Sequence, residues 1–331
     1  MPLSDMFDLT RLTLGGKLAE ATALIQAKLA GHPTPPPAKP FPGRTTDAQT
    51  SPTGRFLTEK YTSPAGDLAY KLYIPVQPTS APMPLLVMLH GCTQSPDDFA
   101  AGTGMNALAE QHGFLVAYPA QTQSANAQKC WNWFNPADQA RDRGEPALIA
   151  GVTRAIMAAH PVDPKRVYVA GLSAGGAAAS IMGVTYPELY AAVGVHSGLA
   201  CGAARDMTTA FTAMRQGHAG RPVTAPPTIV FHGDRDTTVN IHNADAVIAQ
   251  ANHPGNHPGL RIRVESGQSN GHKYTRRIHS TPDGHEISEQ WIIHHAPHAW
   301  SGGNPAGSFT DPKGPNASQE FVRFFLAHPH E

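Results

Sequence analysis

The sequence predicts an α/β fold in which a mostly parallel central sheet carries helices on both faces. Three observations support this. From about Phe56 onward, short apolar runs that mostly end at Gly or Pro alternate with longer segments of helical spacing. Such alternation calls for right-handed crossovers, which place helices on both sides of parallel strands. A chain of 331 residues suits one large domain of this kind with an N-terminal appendage.

The appendage comes first. Leu14, Leu18, Ala21, Leu24, Ile25 and Leu29 recur at helical spacing over residues 9–29, and Gly31 supplies a stop. Residues 1–31 therefore read as an amphipathic helical segment, suited to docking or self-association. Granule or membrane contact is the weaker reading, because its polar face offers only Arg11, Lys17 and Lys28 as cations. Residues 32–54 are dominated by Pro, Gly and Thr and predict an extended linker. The remainder, 55–331, is the expected folded domain.

Within it, LAYKLYIP (68–75) reads as an edge strand stopped by Pro75. Segments 85–91, 114–119, 166–171, 191–198 and 228–233 read as compact inner strands, with helices near 97–112, 144–160, 175–186 and 242–252 between them. Strands at 261–266, 273–280 and 288–295 and a last helix at 318–328 complete the pattern. In such sheets ligands sit beyond the carboxyl ends of the strands, so the residues just after them are where chemistry is expected.

Composition narrows the function. The 25 Lys and Arg balance the 25 Asp and Glu, and only 15% of residues are charged. That excludes a polybasic nucleic-acid binder or an acidic tail. No apolar run approaches the roughly 20 residues that cross a bilayer. Cys92, Cys130 and Cys201 are too few for a disulfide scaffold and lack the paired spacing of a structural zinc site. One disulfide with a free thiol, or three buried thiols, are both open. The N-terminal stretch lacks the basic, apolar and small-residue pattern of a secretory signal, which predicts a cytoplasmic chain.

The strongest chemical signal is Gly171-Leu172-Ser173-Ala174-Gly175, which follows the strand RVYVA and precedes a helix of small residues. G-x-S-x-G at a strand–turn–helix junction puts a serine on a strained elbow, with its hydroxyl lifted out of the sheet and a helix N-terminus beneath it. A nucleophilic serine needs a base, and the base needs an orienting carboxylate. After the strand TIVF, the loop His232-Gly233-Asp234-Arg235-Asp236 offers two acids; Asp236 is the first choice and Asp234 the alternative. Among 18 histidines, His298 follows the last long strand and precedes the terminal helix, where the base of such an enzyme belongs. His294 and His295 are its rivals, and Pro297 breaks any helical face that could make the three a metal site. Two backbone amides, those of Cys92 after the strand LLVML and of Ala174 after the serine, are placed to serve as oxyanion donors.

Ser173, Asp236 and His298, together with HGCTQ (90–94), CWNWF (130–134) and PHAWSGG (297–303), resemble the poly(3-hydroxybutyrate) depolymerase-type esterases of the α/β-hydrolase fold. The resemblance covers roughly residues 56–327. It implies hydrolysis of short-chain hydroxyalkanoate polymers or oligomers without metal or organic cofactor, with feruloyl and acetylxylan esterases as near relatives. It also implies a Cys92–Cys130 disulfide and an extracellular or periplasmic location as the alternative to a cytoplasmic one. Trp131, Trp133 and Trp300 flank the site motifs and read either as a substrate wall or as packing. Met207, Phe211 and Met214, at helical spacing, read either as a cover for an acyl pocket or as core. From another class, a catalytically inactive hydrolase fold acting as a granule- or partner-binding protein through the N-terminal segment is the rival reading.

Overall fold

A computed structural model describes residues 54–76, 81–253 and 258–331. The predicted helix at 9–29 and all but the last residue of the linker lie outside the described residues. The main sheet has ten strands: β1 (Arg55–Ser63), β2 (Gly66–Ile74), β3 (Met83–Leu89), β4 (Leu115–Pro119), β5 (Val162–Leu172), β6 (Ala192–His196), β7 (Thr228–Gly233), β8 (Arg261–Ser269), β9 (His272–Ser280) and β10 (Glu286–Ile293). Their spatial order is β1-β2-β4-β3-β5-β6-β7-β10-β9-β8. The six strands from β4 to β10 run parallel, while β1 and β2 on one side and β9 and β8 on the other are antiparallel. The order turns back on itself between β4, β3 and β5, the kind of switch point beyond whose strand ends ligands bind in such sheets.

Among the described residues, seven α-helices accompany the sheet: α1 (Pro96–Thr103), α2 (Met105–His112), α3 (Gly144–Ala159), α4 (Ala174–Thr185), α5 (Met207–Gln216), α6 (His242–Ala251) and α7 (Ala317–Ala327). β3 shows why they divide between two faces. Its side chains alternate, so Leu85, Val87 and Leu89 join the core under α3 and α4, while Leu86 and Met88 join the one under α1, α2 and α7. Both sets are buried, which accounts for the unbroken apolar run in the sequence. A short parallel pair, β11 (Trp300–Ser301) and β12 (Thr310–Asp311), lies in the loops before α7.

Two sequence expectations are corrected. LAYKLYIP is not the edge strand, because β1 pairs along its whole length outside it. β1 (RFLTEKYTS) is half exposed and polar, so its apolar signal is weak. The single helix expected over 97–112 is two: Gly104, at φ 62°, ends α1 by accepting the left-handed conformation and turns the chain into α2.

Candidate active site

The elbow forms where β5 runs into α4. Ser173 sits at φ 57° and ψ −119°, a backbone region that side-chain-bearing residues rarely occupy. Two neighbours make the geometry feasible. A side chain on Gly171 would strike the Gly175 backbone, and one on Gly175 would strike the carbonyls of Leu89 and His90 at the end of β3. Only glycine lets strand, turn and helix close this tightly. Ser173 N–H donates to the His196 carbonyl at 2.9 Å, fastening the elbow to the end of β6.

Asp236 lies after β7 and His298 after β10, the strands that are parallel neighbours in the sheet. Their loops interlock at Gly233, where any added carbon would collide with the Ala296 carbonyl. His298 Nδ1 meets Asp236 Oδ2 at 2.6 Å, with 11% and 0% of the two side chains exposed. A carboxylate partner places the ring proton on Nδ1 and leaves Nε2 as a free lone pair. Asp236 Oδ1 accepts the Thr238 and Val239 amides at 2.9 and 2.8 Å. His232 Nε2, which donates to the Val239 carbonyl at 2.8 Å, lies 3.4 Å from Oδ2. Burial alone would raise the Asp236 carboxyl, but the attraction of His298 when its ring is protonated and the hydrogen bonds of His232 and His298 outweigh it. They hold the acid far below the usual carboxylate range.

The rival residues pair with one another instead. Asp234 accepts the His295 amide at 2.6 Å and meets His294 Nδ1 at 2.8 Å, while His294 Nε2 meets Thr275 Oγ1 at 2.9 Å. Both nitrogens of His294 are thus engaged, and the pair is about one-third exposed. It fastens a hairpin and has no ring nitrogen left for a serine.

At the end of β3 the turn 90–94 packs on the elbow: a side chain on Gly91 would reach the Leu172 carbonyl and Ser173 Cβ at 3.5 and 3.6 Å. Gly91 N–H donates to Gln94 Oε1 at 2.9 Å, Thr93 N–H to the Gln128 carbonyl at 2.6 Å and Gln94 N–H to the Gly91 carbonyl at 3.3 Å. Among the described residues, no acceptor is bonded to the Cys92 amide of this turn or to Ala174 N–H at the start of α4. His90 holds the turn from below. Its Nδ1 meets the Gly91 carbonyl at 2.7 Å, and its Nε2 accepts Gln121 N–H at 3.1 Å. Burial pulls its pKa down to about 4, keeping the ring neutral as this bonding requires.

Cys92 and Cys130 are joined by a disulfide, and Cys201 is a buried free thiol. The bond ties the turn to the CWNWF loop. That loop is anchored in turn by Glu145 at the start of α3, which accepts both nitrogens of Asn132 at 2.7 Å and a bond from Gln121 Nε2. Burial, with the nearby Asp138 charge, raises the Glu145 carboxyl to about 7 against those donors. Closing a loop of 38 residues is worth about 4 kcal/mol in the chain-entropy account. Cys130→Ser should therefore lower the urea-unfolding free energy by about 2–4 kcal/mol, and dithiothreitol should do the same to the unmutated chain but not to the variant.

The substrate-wall reading of the tryptophans fails at two positions. Trp131 and Trp300 are 0% and 1% exposed, and their indole N–H groups are used internally, on the His90 carbonyl at 3.1 Å and Ser318 Oγ at 3.0 Å. They pack beneath the turn and the His298 loop because an indole buried whole must find its acceptor indoors. Trp133 is also buried, edge-on to Phe134. Met207, Phe211 and Met214 are half-buried along α5, whose fully buried positions are Ala210 and Ala213, and Met214 packs against the main core.

Sequence reasoning missed an exposed aromatic beside a residue that bonds the turn. Gln94 Nε2 donates to the Ser308 carbonyl at 3.1 Å and to Asp98 at 2.8 Å, bringing residues from far down the chain against the turn. The next residue, Phe309, is 46% exposed and held at φ 51°. No local pattern marks it, since its position depends on contacts some 214 residues apart. Among the described residues, no group of three or more His, Cys, Asp or Glu is placed to hold a metal ion.

Residues 68–255, just over half of the chain, match the family described as esterase PHB depolymerase. Poly(3-hydroxyalkanoate) depolymerase C of Paucimonas lemoignei is 33% identical over 225 residues, which cover 63% of this chain and 53% of that protein. Feruloyl esterase B of Thermothelomyces thermophilus is 29% identical over 54% of this chain and 67% of its own length. The chain thus spans about half of the first relative and two-thirds of the second. The structure of an acetyl xylan esterase from Aspergillus awamori superposes with a TM-score of 0.64 at 20% identity, covering 83% of this chain and all of that one, and establishes the shared α/β-hydrolase fold.

Proposed function

Because the chain belongs to the esterase PHB depolymerase family, we propose that it is a serine esterase hydrolysing short-chain hydroxyalkanoate esters of the poly(3-hydroxybutyrate) type. The observation that carries the proposal is the buried 2.6 Å bond from His298 to Asp236, in loops adjoining an elbow that forces Ser173 into strained backbone. Ser173 Oγ attacks the ester carbonyl as His298 Nε2 takes its proton. Asp236 stabilises the imidazolium so formed. The carbonyl oxygen becomes an oxyanion held by the Cys92 and Ala174 amides. Collapse expels the alcohol, which takes the proton from His298. Water, deprotonated by the same imidazole, then releases the acid from the acyl-enzyme.

The similarity to a polyhydroxyalkanoate depolymerase supports the substrate class, and Phe309, an exposed aromatic next to the Ser308 that bonds Gln94, suits an apolar polyester surface. A feruloyl or acetylxylan esterase is the second reading, favoured by the fuller span of the feruloyl relative. A disulfide at the oxyanion turn favours an oxidising compartment, outside the cytoplasm. Among the described residues no helix is long and apolar enough to cross a membrane.

Product analysis separates the two substrate readings. Incubation with 3-hydroxybutyrate oligomers, methyl ferulate and acetylated xylan should release 3-hydroxybutyrate at least about tenfold faster than ferulate or acetate, a difference of about 1.4 kcal/mol in transition-state binding. Faster ferulate or acetate release reverses the assignment. Failure of all three, with no labelling of Ser173 by a serine-directed phosphonate, leaves the binding-protein reading.

A further inference from the structure

His196, the last residue of β6, belongs to neither the proposed triad nor the oxyanion turn, yet both of its polar ends are engaged there. Its carbonyl accepts Ser173 N–H at 2.9 Å, and its imidazole Nε2 accepts Ser301 N–H at 2.9 Å. Ser301 lies three residues after His298, so one residue touches the nucleophile elbow and the base loop together. An Nε2 that accepts places the ring proton on Nδ1, which faces Ser197 Oγ at 3.2 Å. The ring cannot drift, because Trp300 and Phe231 stack on it at centroid distances of 4.9 and 5.9 Å. Every member of this group is buried: His196 is 1%, Ser197 0%, Trp300 1% and Ser301 2% exposed.

We propose that His196 is a positioning residue that sets the register of the His298 loop against the Ser173 elbow. The inference rests on the serine-esterase reading above. Asp236 fixes the imidazole of His298 at Nδ1, which leaves the approach of its Nε2 to the serine to be set by where the loop itself sits. The loop is pinned on its far side by the Ser301 amide, which among the described residues donates to His196 Nε2. Without this acceptor a buried N–H is orphaned, and the loop must shift to regain a partner. A displacement near 1 Å at a reacting pair costs up to about a hundredfold in rate. Substrate binding is untouched, because the fully buried ring cannot meet a ligand.

The test compares two replacements on the full chain, assayed with short-chain p-nitrophenyl esters. His196→Phe keeps a stacking ring but removes the acceptor, whereas His196→Gln can present an amide oxygen near the place of Nε2. His196→Phe should lose about 10–100-fold in kcat with KM within about twofold, and His196→Gln should recover most of the loss. The rate of phosphonate labelling should fall and recover in parallel. If the Phe variant does not fold, His196→Asn, whose amide is one carbon shorter, takes its place against Gln. A folded Phe or Asn variant with kcat within twofold of the parent, or a Gln variant no better than either, overturns the inference. Ser173→Ala run alongside keeps the two levels apart. An inactive serine variant beside fully active His196 variants ends this inference alone, and undiminished turnover in the serine variant ends the esterase reading beneath it.

Discussion

Ser173→Ala is expected to lower kcat on p-nitrophenyl acyl esters by about 10⁴–10⁶-fold, with KM little changed and the thermal melt within a few degrees of the parent. The size follows from the chemistry. In the proposed mechanism, loss of Oγ removes the acyl-enzyme and the hydroxyl that His298 deprotonates, leaving only the oxyanion amides and substrate binding to act on the reaction. The backbone consequence is smaller. Alanine tolerates φ 57° no better than serine does, and the turn is dictated by Gly171 and Gly175, so the elbow should keep its shape. Turnover within tenfold of the parent would remove Ser173 from the mechanism.

Asp236→Asn should cost about 10⁴-fold in kcat, nearly all of it through the proton on His298. Oδ1 is held by the amides of Thr238 and Val239, so the asparagine oxygen must stay there and its NH₂ must take the place of Oδ2. That NH₂ then faces His298 Nδ1 as donor against donor. The imidazole escapes by moving its proton to Nε2, which in the proposed mechanism stops it taking one from the serine. Asp234→Asn is the matched control: it disturbs a partly exposed pair with His294 and should leave kcat within about threefold. Stability gives a second readout. The folded carboxyl of Asp236 titrates below its unfolded value, so its contribution is complete above about pH 4 and is lost as the pH falls further. Urea unfolding of Asp236→Asn should therefore show a shallower loss of stability below pH 4 than the parent. A parallel slope would mean that the carboxylate is not held as described.

What could be read from the chain was whatever is encoded locally. β3, β4, β6 and β7 announce themselves as continuous apolar runs because both faces of each are covered, and the elbow announces itself because strand, two glycines and a small-residue helix must be adjacent for the turn to close. β1 was illegible for the opposite reason: it lies at the rim with much of its surface in water, so burial imposes no period on it. Counting three cysteines does not choose the pairing Cys92–Cys130, which only the family resemblance implies.

The chain alone determined the layer architecture, the serine on its elbow and a short set of acids and histidines beyond the later strands, since each depends on residues that are neighbours in sequence. Tertiary structure decided which acid meets which histidine. Asp234 and Asp236 differ by two positions, yet one is drawn to His294 at the surface and the other to His298 in the interior. It also placed Trp131 and Trp300 in the core, and it set His196 between loops more than a hundred residues apart. Those outcomes depend on how the ends of β6, β7 and β10 come to lie side by side. Adjacency of that kind arises from sheet order, and sheet order is fixed by the burial of two whole faces rather than by any local stretch of residues.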